Sequence, residues 1–326
     1  SLNALGNTGQ RMSVDPESRF GLNLSSELSD DLVFASQVVA RGTDGGQYAL
    51  LADWIFVTYK PTDRFGLRVG RQIRPVFLYS EQVDVGFTYL WVRVPHELYS
   101  LFPVKSFNGL SALFKFELGE FRLRGEIYGG GGETTIKQPT FTFIGASNDI
   151  KGVELSLEND SFKIHAAYEA NNPRGTLNIP TLISGTTYGT MIIDSNLGTF
   201  ELFSTGFSYD AGKSILIAEF GSERGSGTLV KKSTGAYVSA GYHLNIWIPY
   251  VVYAWQNVDG LAYAFPDPTV STTLRNEQSS GLVGVSHQLN PNTKIKVEYM
   301  RTLQIFADSS RNINADTATA SLDMVF

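Results

Sequence analysis

Along most of this chain apolar residues recur at every second position, in runs of roughly ten residues. Phe20, Leu22 and Leu24 form one such run; Phe65, Leu67 and Val69 form another. Leu110, Ala112, Phe114 and Phe116 are followed by Phe121, Leu123, Gly125 and Ile127, and Ile295, Val297 and Tyr299 repeat the pattern near the end. The positions between are polar or charged, as in Ser111, Lys115 and Glu117, or Arg122, Arg124 and Glu126. A two-residue period places these sets on opposite faces of a strand, one greasy and one wet. Ala318, Ala320, Leu322, Met324 and Phe326 alternate in the same way with Thr317, Thr319, Ser321 and Asp323. No stretch sustains apolar residues at helical spacing.

The connections between these strands alternate in length. Short ones fall near 29–31, 61–64, 118–120, 159–161, 210–212, 244–245 and 290–292. Long ones cover about 41–48, 75–107, 129–149, 170–197, 222–232, 257–276 and 306–314. Such a rhythm is a meander of hairpins with plain turns at one end and elaborate loops at the other, as in a membrane-spanning barrel. Fifteen strands can be counted from Arg19 onward, each about as long as a tilted membrane strand requires. Single-chain bacterial barrels have even strand numbers. The expectation is an all-β fold: one antiparallel transmembrane β-barrel domain over residues 1–326, with about 16 strands. Residues 1–17 read as an outer loop, so the first strand is expected as a stub at residues 1–5 or as absent from this sequence.

Composition narrows the picture. Apolar residues make up 42 % of the chain, yet the mean hydropathy is only −0.07. No apolar run approaches the roughly 20 residues of a membrane helix. With no cysteine, the chain can carry neither disulfides nor thiol chemistry. The net charge of −6 is mild and dispersed, which leaves no basic footprint for nucleic acid.

One connection is unlike the others. Residues 75–107 include Phe77, Leu78, Tyr79, Tyr89, Leu90, Trp91, Leu98 and Phe102. A loop this long and apolar must pack on something, and the inner wall of a wide barrel is the surface at hand. It is therefore expected to fold into the lumen as a third, constricting loop. Its charges, Glu81, Asp84, Arg93 and Glu97 with Arg74 just before it, are candidates for that constriction. Lys115, Arg122 and Arg124 lie on the polar faces of their strands and are expected to join them from the wall.

The run Leu67-Arg68-Val69-Gly70-Arg71-Gln72, ending a strand and opening into the long loop, resembles the general porins of Gram-negative outer membranes. Residues 91–95, 99–100 and 106–109 resemble a further group of proteobacterial porins, and the terminal Phe326 resembles the C-terminal signal of outer-membrane barrels. The resemblance implies a water-filled channel in the bacterial outer membrane for passive diffusion of small hydrophilic solutes and ions. It also implies contact with outer-membrane lipid, assembly as a homotrimer and no cofactor. It places Arg71 at a basic wall position. The acidic Pro-Glu-Phe-Gly turn of general porin loops is missing, so Glu81, Asp84 and Glu97 rest on composition alone. Five arginines, Arg71, Arg74, Arg93, Arg122 and Arg124, suggest an anion-leaning pore. The alternative is a non-conducting or substrate-specific barrel acting as a receptor or adhesin. An enzyme is not expected: no activating motif surrounds Ser111 or Ser156 near His165, and the histidines lack metal-ligand spacing.

Overall fold

A computed structural model describes residues 18–42, 48–102, 105–138, 141–183, 187–196, 198–226, 230–263, 272–306 and 312–326. The first four strands are β1 (Arg19–Ser29), β2 (Leu32–Gly42), β3 (Tyr48–Thr62) and β4 (Phe65–Ile73). After the long loop, with its short helix α1 (His96–Tyr99), come β5 (Ser106–Leu118), β6 (Phe121–Gln138), β7 (Phe141–Glu158) and β8 (Phe162–Asn171). A hairpin of β9 (Arg174–Ile183) and β10 (Thr187–Asn196) follows. The remainder is β11 (Phe200–Ala211), β12 (Ser214–Gly225), β13 (Val230–Tyr242), β14 (Trp247–Tyr263), β15 (Thr272–Asn290), β16 (Thr293–Phe306) and β17 (Ile313–Met324).

Every ladder is antiparallel. β1 to β8 pair in sequence, β8 then pairs with β11, and β11 to β17 pair in sequence. The barrel wall among the described residues thus has fifteen strands, as the alternation predicts. β9 and β10 stand outside it, β9 pairing with the upper part of β7. The expected stub at residues 1–5 lies outside the described residues. The segments 129–149 and 170–197, expected as loops, are largely paired hairpins. β6 and β7 simply continue their ladder past the membrane, from Gly132 opposite Ser147 to Gln138 opposite Phe141. The four-glycine run begins this extension for a packing reason. A β-carbon on Gly130 would collide with the backbone of Asn108 and Gly109 on β5.

The two faces differ as the alternation requires. Leu110 and Ile127 are exposed, whereas Ser111 and Glu126 on the same strands are buried. β17 alternates without a break, Ala318, Ala320, Leu322 and Met324 outward and Thr317, Thr319, Ser321 and Asp323 inward. Outward aromatics gather beside the short turns: Tyr59, Phe65, Phe116, Tyr209, Tyr242 and Trp247 are all exposed there. That is the level at which an interfacial girdle forms.

The main core is not between two sheets. Val76, Phe77, Tyr89, Leu90, Trp91, Leu98, Leu101 and Phe102 of the long loop pack on Leu202, Ile215, Ile217, Tyr237, Tyr250 and Val252 of the inner wall. Burying each large apolar side chain contributes about 1.5–3 kcal/mol, which offsets the ordering entropy of a segment this long.

A cysteine-free chain permits clean site-directed labelling. Spin labels placed singly at 110 and 127 are expected to be quenched by lipid-soluble relaxants, and labels at 115 and 124 by water-soluble ones. The reverse pattern in continuous-wave EPR would show that the face assignment is inverted.

Candidate functional site

The long loop, residues 74–105, leaves β4 and is held by side chains that project inward from the opposite wall. The amide of Leu78 donates to Glu219 of β12 at 2.7 Å, and the amide of Val92 donates to Glu298 of β16 at 2.7 Å. The indole of Trp91 donates to Ser239 of β13 at 3.0 Å. Lys296, fully buried, donates to the carbonyl of Gly86 at 2.6 Å and pairs with Asp323 at 3.1 Å. The backbone runs so close to β13 that a β-carbon on Gly235 would collide with the carbonyl of Glu97.

Between residues 83 and 86 the loop touches both ends of the described wall. The carbonyl of Val83 accepts from Arg19 of β1 at 2.9 Å, and Gly86 holds Lys296 of β16. Four residues of extended chain span at most about 14 Å. Gly86 also sits against Asp323 of β17, so the first and last described strands are bridged by one short stretch of loop.

Asp84 is the hub of that bridge. It pairs with Arg41 of β2, which also holds Asp53 of β3. Arg19 lies 3.0 Å from Asp84 and Lys105 3.4 Å from it. Burial alone would raise the Asp84 pKa, but hydrogen bonding to Arg41 and the charges of Lys105 and Arg19 outweigh it and hold the carboxyl below the usual aspartate range.

The nine predicted constriction residues do not converge. Glu81, Lys115 and Arg124 line a cavity of about 410 Å³ between Ser80–Gln82 and the wall from β3 to β8. Arg74 is buried at the loop base, 3.3 Å from Glu169 of β8 and over the ring of Phe102. Glu97 is buried in α1 and accepts from Gln278 of β15 at 3.0 Å. Arg93 is half-buried beside the contact between Val92 and Glu298. Arg122 sits near the short turns, 3.4 Å from Glu117 and 3.2 Å from Glu158.

Arg71 is placed on the other face. The register pairs it with Ile55, and Leu67, Val69 and Ile55 are all exposed outward. Its Nε donates to the carbonyl of Ala52 at 2.8 Å. The inward cation of β4 is Arg68, over the ring of Phe56 and 3.8 Å from Glu81. The alternation of Leu67 and Val69 already carried that signal, and the Gly-Arg motif points to the wrong arginine.

Sequence reasoning also passed over several lining residues. The cavity carries six cationic side chains, Lys60, Arg64, Arg68, Lys115, Arg124 and Lys163, against four carboxylates, Asp63, Glu81, Glu126 and Glu154. Lys115 and Arg124 face each other directly across the β5–β6 ladder. Each reaches a different carboxylate, Glu117 at 3.1 Å and Glu158 at 3.0 Å. Like charges at directly opposed positions destabilise a sheet, and these two separate carboxylates offset that repulsion. His165 also lines the cavity, its Nδ1 3.1 Å from Glu154. Ser156 stands opposite it on β7, yet the His165 Nε2 has no hydrogen-bond partner, so the two form no dyad. Among the described residues no cluster of His, Asp and Glu could hold a metal ion.

A family profile described as Gram-negative porin matches residues 2–304. A search of curated proteins returns no match. Among solved structures, a loop-deletion form of OmpT, an outer-membrane protein of Vibrio cholerae, aligns with TM-score 0.61 at 14 % identity over 94 % of this chain and 89 % of its own. That protein is also solved in a trimer form. The outer-membrane channel DcaP of Acinetobacter baumannii gives TM-score 0.58 at 12 % identity, covering 94 % and 84 %. The anion-selective porin of Comamonas acidovorans gives 0.52 at 10 % identity, covering 94 % and 87 %. At such identities the likeness is one of fold.

Substituting Asp84→Asn is expected to destabilise the loop by roughly 1–3 kcal/mol, since it removes the anion shared by Arg19, Arg41 and Lys105 while Arg41 keeps Asp53. Because the folded pKa of Asp84 lies below the unfolded one, its contribution is complete above the ordinary aspartate value near 3.9 and is lost as pH falls through the folded value. Urea unfolding in detergent should show wild-type stability from this group unchanged between about pH 7 and 5, with the variant weaker throughout.

Proposed function

The chain belongs to the Gram-negative porin family, an outer-membrane channel for passive diffusion of small hydrophilic solutes, and on that premise we propose that its selectivity leans toward anions. The observation that carries this reading is the directly opposed pair Lys115 and Arg124, within a cavity whose cations outnumber its carboxylates six to four. In a narrow space with low-dielectric walls, charges at the constriction act on a solute with little screening. The protein's net charge of −6 is a property of the whole chain, and charges more than a Debye length away are largely screened. The infolded loop supplies one side of the narrowing through Ser80, Glu81 and Gln82, and the wall from β3 to β8 supplies the other. The porin of Comamonas acidovorans, which shares the fold, is described as anion-selective, the same sense as proposed here. No residue of the cavity forms an activated nucleophile, which supports a channel rather than an enzyme.

Reversal potentials in a KCl gradient test the selectivity. Wild type is expected to favour chloride, and Lys115→Ala with Arg124→Ala is expected to move the potential a few-fold toward potassium. Arg71→Ala is expected to leave it unchanged. A cation-selective wild type, an unmoved double variant or a barrel that passes no current would overturn the proposal.

The assembly is proposed to be a homotrimer. Arg71 lies on the outward face among Leu67, Val69 and Ile55, where an arginine facing lipid costs about 2–4 kcal/mol at mid-bilayer. A neighbouring copy would shield it, and the small outward residues Ala318 and Ala320 would permit close approach. Native mass spectrometry in mild detergent is expected to give a trimer for wild type and a shift toward monomer for Arg71→Ala. Monomer alone for both would remove the claim.

A further inference from the structure

The outward face of β12 and β13 changes character along its length. Starting from the short turn, the register pairs Leu216 with Ala240, Ala218 with Val238 and Phe220 with Ala236. The hydroxyls of Ser222 and Thr234 come next, directly opposed, and above them stand Arg224 and Lys232, also directly opposed. Both cations are exposed, and among the described residues neither has an ion-pair partner. Their mutual repulsion is thus not offset within the protein, in contrast to that of Lys115 and Arg124. Two carboxylates share the row, Glu201 opposite Arg224 and Asp259 opposite Lys232. Glu201 accepts the hydroxyl of Tyr168 at 2.8 Å instead.

The height of this row follows from the strand. From Ser214 to Arg224, β12 climbs ten residues, about 34 Å along its axis. A tilt of about 35–45° leaves about 26 Å across the membrane, close to the height of a barrel's lipid-facing band. Arg224 and Lys232 therefore reach the headgroup level at the end of the long loops, which in bacterial barrels is the outer one. Below them small side chains leave a furrow. Ala236 and Ala240 lie between Phe220 and Leu216 on one side and Trp255 and Val251 on the other.

We propose that β12 and β13 form a binding site for a phosphate-bearing lipid of the outer leaflet, its phosphate between Arg224 and Lys232 and an acyl chain along Ala236 and Ala240. Such a lipid carries its groups in the order in which the strands meet them. The furrow takes the chain, Ser222 and Thr234 donate to the linking carbonyl, and the cations take the phosphate. An arginine fork grips phosphate in two places and a lysine adds a point charge. Opposed β-carbons are about 5 Å apart, so both side chains can reach one phosphate. The site lies five ladders from β17 and six from β4. That places it across the barrel from the face proposed for subunit contact, where lipid is the neighbour. It lies outside the lumen and is independent of the direction of ion selectivity.

Native mass spectrometry of the detergent-solubilised protein tests the site, with diphosphorylated lipid A as the probe. Phosphatidylcholine supplies chains without net charge, and inorganic phosphate supplies the anion without chains. Lipid A is expected to bind at least about tenfold more tightly than either, since one control loses the charge-assisted hydrogen bonds and the other loses the furrow. Arg224→Ala with Lys232→Ala is expected to weaken lipid A by about tenfold or more and to leave phosphatidylcholine binding and KCl current unchanged. Ala236→Trp is expected to weaken lipid A by filling the furrow while both cations remain. Lipid A held no better than phosphatidylcholine, or equally well by wild type and the double variant, would overturn the inference. Displacement of lipid A by an equal concentration of inorganic phosphate would reveal a free-anion site and equally overturn it. Loss of an oligomer in Ala236→Trp would show that a second copy covers the furrow, which also overturns it.

Discussion

Hydrocarbon offers no partner for a backbone amide or carbonyl, and a sheet that crosses it must satisfy every such group by pairing strand to strand. That one requirement forces the antiparallel wall from β1 to β17, and with it the two-residue alternation. The loop folded inside has no neighbouring strand to pair with, and irregular backbone at this depth is tolerated only where protein buries it or water reaches it. There the wall's side chains take over the role of a ladder. Glu219 and Glu298 accept the amides of Leu78 and Val92, while Lys294, Lys296 and Arg19 donate to carbonyls of Phe87, Gly86 and Val83. The polar inner face is thus part of the folding machinery of the loop as well as the lining of a channel.

This division of labour shapes the electrostatics. On the β11 to β17 side, inward charges are used up in holding the loop, and aromatic packing around Trp91 and Tyr237 closes that half of the lumen. On the β3 to β8 side the loop meets the cavity with Pro75, Phe77, Leu78, Ser80, Glu81 and Gln82, and the wall's charges line the rest of it. A pore that needs one rigid side and one responsive side obtains both from the same strand period. The hub at Asp84 fixes where the boundary falls, because it ties the loop to β1, β2 and β3 by way of Arg19, Arg41 and Asp53.

The fold was legible because the bilayer imposes it locally. Each strand carries its own alternation, and the hairpin rhythm follows from turn length without any long-range contact. Apolar composition alone also foretold that residues 75–107 would need an inner surface to pack on. The hairpins beyond the membrane were less legible, since outside hydrocarbon nothing obliges a ladder to announce itself by alternation. The site was legible only in part. Which charges meet across the lumen depends on how far the loop travels and on which wall groups it consumes. Arg74 and Glu97 look like free pore charges in sequence and are spent on Glu169 and Gln278.

Arg68 and Arg71 show how sharply the strand period constrains such assignments. They are three residues apart, an odd number, so they cannot share a face of one unbroken strand. The β4–β5 register runs without interruption from Phe65 opposite Phe114 to Ile73 opposite Ser106. Once Leu67 and Val69 face outward, Arg71 must follow them, and Arg68 must turn in toward Glu81 and Glu126. A short motif describes what kind of residue stands at a corner, but parity decides which side of the membrane wall its charge reaches. Where the two disagree, parity carries the larger penalty. Slipping β4 by one residue would place Arg68 among lipid tails and bury Leu67 and Val69 against the water-filled lumen, reversing every contact on both faces at once.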